Sequence, residues 1–142
     1  MKPLVASLVG VVLGCGPRVA SNSASLPAPG TFLITAEQIE RSGVHTAWDV
    51  LKHDAPMLLM REDRNGDPAS ISRRGRTSFL LEEAPLVMLD GVRVPDFRAL
   101  ASIEAASITS ITIYDGVEST TYYGTGAVAG VIAIKTKDGR PS

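Results

Sequence analysis

Four consecutive apolar residues, Leu86-Val87-Met88-Leu89, run straight into Asp90-Gly91 and then into Val92-Arg93-Val94. An Asp-Gly pair between two extended runs signals a two-residue hairpin, because both central positions of that turn need positive φ. A continuously apolar strand, unlike an alternating one, is expected to be covered on both faces. Two more extended segments follow. In residues 108–114, Ile111 and Ile113 alternate with Ser110, Thr112 and Tyr114, which is the period of a half-buried strand. Residues 130–137 place Ile132 and Ile134 on one face and Val131 and Ala133 on the other. Between them, residues 117–123 read as a helix of one or two turns, broken by Gly124 and Gly126. The expected fold class is therefore α/β (α+β): a small mixed β-sheet with short helices.

The upstream half supplies the remaining elements. Residues 31–34 suit a strand, and Thr35 with Gln38 three positions on forms a capping box for a helix that Gly43 ends. Thr46 caps a second helix, in which Ala47, Val50 and Leu51 share one face and Pro56 marks the stop. A strand at 57–61, a tight turn at Asn65-Gly66 and a strand at 70–75 make a second hairpin. Residues 97–101 and 103–106 read as short helical turns. No internal repeat is present.

The chain has 142 residues, with 14 Lys and Arg against 15 Asp and Glu. A net charge of -1 with mixed signs gives no overall field to attract nucleic acid, so none is expected as a partner. A single-chain outer-membrane barrel takes many strands of about ten residues each, so no β-barrel is expected in this length. At the N-terminus, Lys2 precedes an apolar run at 4–13, shorter than the roughly 20 residues that span a bilayer, as in a secretory signal peptide. The run closes on Val12-Leu13-Gly14-Cys15, which is similar to the lipobox of bacterial lipoproteins, and Cys15 is the only cysteine. We expect a signal peptide at 1–14, a lipidated Cys15, a flexible tether at 15–30, a folded domain at 31–138 and a tail at 139–142. By resemblance to lipoprotein sorting signals, Gly16 in place of Asp implies the outer membrane, with the domain facing the periplasm.

Four elements in this order resemble the plug domain of TonB-dependent outer-membrane receptors. They are the helix at 46–56, Ile71-x-x-Arg74-Gly75, the Val87-x-Leu89-Asp90-Gly91 hairpin, and Tyr123-Gly124 through Gly126 and Gly130 to Thr136. The likeness covers residues 31–137, and Arg73 stands where the family motif I-x-I-R-G has its second apolar residue. In those receptors a small plug sits inside a β-barrel and gates it. Plug arginines near this motif pair with acids of the barrel wall, so the resemblance makes Arg74 the leading partner contact, with Arg73 and Arg76 beside it. Guanidinium geometry suits bidentate pairing with carboxylates. Arg61, Arg64, Arg73, Arg74 and Arg76 fall in one region whose hairpin is expected to bring several together, and a solvated edge is the plainer reading of the same charges.

Other chemistry finds weaker support. His45, Asp49 and His53 follow at four-residue spacing, but Thr46 as N-cap puts His45 outside the helix, so no metal is expected. Asp63-x-Asn65-x-Asp67 begins like a calcium loop but has Gly66 at the wrong step and Arg74 where a bidentate Glu belongs. Gly124-x-Gly126-x-x-x-Gly130 follows a helix and opens a strand, the reverse of a phosphate-binding loop, so these glycines are expected to serve positive φ and close packing. With no nucleophile elbow and two isolated histidines, no enzyme activity and no cofactor are expected. The expected function is that of a non-enzymatic envelope lipoprotein whose plug-like domain binds an outer-membrane β-barrel or uptake-system protein. Two alternatives stay open: a periplasmic small-molecule site built from loops 90–96 and 119–125, and a receptor remnant with a structural role. No segment of residues 16–30 resembles a TonB box.

Overall fold

The computed structural model describes residues 29–74 and 84–139. The expected signal peptide, Cys15, most of the tether, Gly75, Arg76 and the last residues of the tail lie outside them. The described elements run β1 (Thr31–Thr35), α1 (Ala36–Ser42), α2 (Ala47–Asp54), β2 (Leu58–Glu62), β3 (Pro68–Arg73), β4 (Leu86–Leu89), β5 (Val92–Val94), β6 (Ile108–Tyr114), α3 (Gly116–Tyr123) and β7 (Val131–Thr136). Short 3-10 helices at Phe97–Ser102 and Ala105–Ser107 precede β6.

Local chemistry accounts for the boundaries. Gln38 N–H donates to the Thr35 hydroxyl while Thr35 N–H donates to the Gln38 amide oxygen, so the expected capping box satisfies two orphan donors of α1. Asp49 N–H donates to the Thr46 hydroxyl at the start of α2, and the helix ends at Ala55, ahead of Pro56. Asp90 (φ 48) and Gly91 (φ 84) both take positive φ, the requirement of the two-residue turn joining β4 to β5. β3 opens at Pro68, two residues earlier than expected, where proline is tolerated because the first strand residue need not donate to the ladder.

Five strands form one mixed sheet in the order β1-β6-β7-β4-β5, in which only the β4/β7 pair is parallel; β2 and β3 form a separate antiparallel hairpin. Register decides what each face carries. Ile34 lies beside Ile111 and Ile111 beside Ile134; Ile113 lies beside Ile132 and Ile132 beside Val87. All six are buried in one cluster with Ile39, Trp48, Val50 and Leu51 from the helices and Leu58 and Ile71 from the hairpin. Burying each such side chain contributes roughly 1.5–3 kcal/mol.

The opposite face differs. Of Leu86 to Leu89 only Val87 is buried, and Leu86 and Met88, which point away from the helical cluster, are half-buried. This corrects the expectation that both sides of β4 are covered. Apolar composition tells what a strand could bury, while the packing of other elements decides what it does bury; among the described residues the helices α1 and α2 lie on one side only.

Candidate functional site

The arginines at the end of β3 are held in two different ways. In the β2/β3 hairpin, Leu58 pairs with Arg73 and Met60 with Ile71, which places Arg73 on the same inward face as buried Leu58 and Ile71. Its guanidinium Nη1 donates to Asp115 Oδ1 at 2.9 Å, and its side chain is only 23% exposed. The position where the family motif has an apolar residue is thus filled by a cation with an internal partner. Arg74, one residue on, is exposed, and its backbone N–H donates to the Met57 carbonyl at 2.9 Å.

The hairpin spreads the arginines instead of gathering them. Arg61 pairs with Ser70 toward the tip, Arg64 sits in the tip itself, and Arg73 lies at the other end of the ladder opposite Leu58. Three residue steps along a strand separate Arg61 from the Leu58 level by about 10 Å, and Arg61 faces the side opposite Arg73. Within the described residues, then, Arg73 and Arg74 are the local basic pair, and Arg76 lies outside them.

Asp115 organises the end of the sheet that Arg73 reaches. It caps α3, accepts from Gly116 N–H as well as from Arg73, and donates its own N–H to the Gly30 carbonyl at 2.8 Å. The buried Ser119 hydroxyl lies against the carbonyls of Asp115 and Ala127. Tyr114 stands between Tyr122 and Tyr123, with ring centroids 5.9 Å apart in both pairs. Burial, and then the neighbouring Tyr123 and Tyr122, push the Tyr114 hydroxyl above its ordinary pKa.

Two of the expected glycines do what their positions require. Gly130 takes φ 105, and a Cβ there would sit 2.8 Å from the Tyr114 carbonyl oxygen, with the Arg73 side chain beyond it at 3.9 Å. Gly124 takes φ 79 as α3 ends. Gly126 has neither positive φ nor a close neighbour, so the expectation of special backbone need does not hold there.

Asp90 proves to be more than a turn residue. Its carboxylate accepts from Thr136 N–H at 2.8 Å and from the Thr136 hydroxyl at 2.7 Å, and Gly139 packs against it. This clamp ties the β4/β5 turn to the end of β7. Of the loop 90–96 in the small-molecule alternative, only this turn lies far from the loop 119–125, because β5 runs back antiparallel to β4 and returns Pro95 and Asp96 to the Leu86 end. β4 and β7 run parallel with Leu86 beside Val131, so Asp90-Gly91 emerges at the end of the sheet opposite α3 and Gly124.

The remaining polar motifs are engaged locally. Asp63 accepts from the N–H groups of Asn65 and Asp67 and from Arg98, and the two backbone donors, followed by Arg98, hold its carboxyl below the usual pKa. Glu62 accepts from Lys52 at 2.7 Å and from the Trp48 indole at 2.9 Å, which lowers its pKa in that order of cause. Asp49 meets the Thr46 hydroxyl at 2.7 Å and His53 lies 2.9 Å from Asp54; with His45 they line a shallow open depression beside Lys52.

The order of these elements and the partnership of sheet, helices and hairpin match a known family. Residues 24–131 match the model of the TonB-dependent receptor plug domain. The chain belongs to the plug-domain family. It is 33% identical over 108 residues to the vitamin B12 transporter BtuB of Vibrio vulnificus, covering 73% of this chain and 17% of that protein. It is 26% identical over 138 residues to the TonB-dependent receptor SusC of Bacteroides thetaiotaomicron, covering 92% of this chain and 13% of the receptor. Its fold matches the ferric enterobactin receptor PfeA of Pseudomonas aeruginosa with a TM-score of 0.58 at 23% identity, over 78% of this chain and 18% of that one. The chain thus spans less than a fifth of each of these relatives, a transporter and two receptors. The fold expectation and the family expectation both hold.

Proposed function

We propose that this plug domain works as a non-enzymatic binding module of the bacterial envelope, held at the outer membrane by a lipid on Cys15 and facing the periplasm. Its partner is an outer-membrane β-barrel or another component of an uptake system. The observation that carries this reading is the contrast at the end of β3: Arg73 is neutralised inside the domain by Asp115, while Arg74, in the arginine position of the family motif, is presented to solvent. An exposed guanidinium beside a neutralised one offers a single fork for a partner carboxylate, with geometry that lysine lacks.

Incorporating a photoreactive amino acid at Arg74 in cells tests the reading. Crosslinking to an outer-membrane β-barrel protein, absent when the same group replaces Arg61, is the expected result. Equal crosslinking at both positions, or none to any barrel or uptake component, overturns it.

A further inference from the structure

The five strands of the main sheet contain no acidic residue, and their only charged side chains, Arg93 and Lys135, stand on the same face, the one turned away from α1 and α2. Across that face the register aligns Leu33, Thr112, Ala133, Met88 and Arg93 in one row that crosses all five strands. At about 4.8 Å between strands the row is close to 20 Å long. Leu33 is 36% exposed, Thr112, Ala133 and Met88 are half-buried, and Arg93 and Lys135 are exposed. A parallel row places Thr31, Tyr114, Val131 and Leu86 beside it; Val131 is fully buried there, and Tyr122, 67% exposed, packs on Tyr114. The face is apolar along its middle, hydroxyl-bearing between, aromatic at one end and cationic at the other.

We propose that this face rests on an anionic phospholipid surface. Charge complementarity is the first ground, since each cation held near such a surface strengthens adsorption by about fivefold. The second is where the chain enters. Gly30 bonds to Asp115 and leads directly into edge strand β1, whose Leu33 begins the row. Residues 16–29 reach at most about 50 Å when fully extended, so a lipid on Cys15 holds β1 near the bilayer; the placement rests on the anchor proposed above. Tyrosines suit the headgroup region because the ring is apolar and the hydroxyl stays wet. Asp115 and Glu118 both lie beside Gly30 at the aromatic end, Asp115 paired with Arg73, while Asp90 at the other end is engaged by Thr136, so contact is strongest toward Arg93 and Lys135. With this face on lipid, exposed Arg74 at the end of the hairpin is left to the protein partner proposed above.

The test uses the full, lipidated chain on vesicles of phosphatidylcholine with or without phosphatidylglycerol. Cys15 is the only native cysteine, so after lipidation a fluorophore can be placed uniquely through Leu33→Cys on the open face or Ala69→Cys on the hairpin. Flotation with vesicles, lost in Cys15→Ser, reports the anchor alone. Protection of the Leu33 label from a neutral aqueous quencher reports the face. The expected result is protection at Leu33 but not at Ala69, greater on phosphatidylglycerol vesicles and abolished by Arg93→Glu with Lys135→Glu, while flotation persists and Trp48 fluorescence stays native. Flotation with a Leu33 label as accessible as the Ala69 label overturns the membrane-facing placement and leaves the anchor standing. Protection that arises only when an envelope protein is added overturns it in favour of a protein partner. Flotation unaffected by Cys15→Ser overturns the anchor itself.

Discussion

The two faces of the five-stranded sheet are made by the same strands and differ in almost every physical respect. Toward the helices stand Ile34, Val87, Ile111, Ile113, Ile132 and Ile134, all at most 4% exposed. Away from them stand Leu33, Met88, Thr112, Tyr114, Ala133, Arg93 and Lys135, half-buried or exposed. Because side chains alternate along a strand, one register assigns most residues to folding or to the surface at once; the exceptions are Val131, buried on the open face, and Phe32 and Val92, exposed on the other. The lesson is a division of labour: the helical face carries most of the buried core, and the open face, with the exposed end of the hairpin, is what the two proposals above assign to partners.

The strongest way to break that division is to truncate matched residues on the two sides. Ile132→Ala or Ile111→Ala is expected to cost about 2–5 kcal/mol, because each leaves a cavity in a well-packed cluster. Leu33→Ala and Thr112→Ala are expected to stay within about 1 kcal/mol of the parent, since neither empties a closed space. Urea unfolding midpoints give both values, and equal losses on the two faces would contradict the division.

Next in size is Gly130→Ala, expected to cost about 1–3 kcal/mol because it combines positive φ with a Cβ pressed on the Tyr114 carbonyl. Asp90→Ala is expected to cost about 1–3 kcal/mol by leaving the Thr136 donors without their acceptor. It should loosen amide exchange at the end of β7 while leaving α3 protected, since the clamp lies at the opposite end of the sheet.

The smallest effect is a pH dependence confined to the hairpin side. Glu62 has its pKa lowered by Lys52 and then Trp48, so its contribution is present above the ordinary glutamate value of 4.5 and is lost as pH falls through the lower folded value. Trp48 is the only tryptophan, so its fluorescence should change in that acid window, and Glu62→Gln should remove the transition. Persistence of the same transition in that variant would assign it to another group.

Much of the fold was legible because its signals are local. Thr35 with Gln38, Thr46, Asp90-Gly91 and the alternation of Ile111 and Ile113 each need only a few neighbouring residues to state a cap, a turn or a face. The site was less legible because its contacts are not local. Asp115 before α3 could be read as a cap, but its pairing with Arg73 joins positions 42 residues apart. Nor did the clustering of arginines in sequence predict their spread along the hairpin, since alternate strand residues point to opposite faces. The open side of β4 was hidden by its own apolar composition, which records what could be buried and not what covers it.

The most direct test of a domain that folds through one set of residues and binds through another reads stability and partner recovery on the same variants. Arg74→Glu, made in the full chain and captured from gently solubilised envelopes, should lose a co-purifying β-barrel or uptake protein while its urea midpoint stays at the parent value. Ile132→Val, a milder core change expected to cost about 0.5–1.5 kcal/mol, should lower the midpoint and keep the partner. Retention of the partner by Arg74→Glu, or its loss only in proportion to lost stability, would contradict the account.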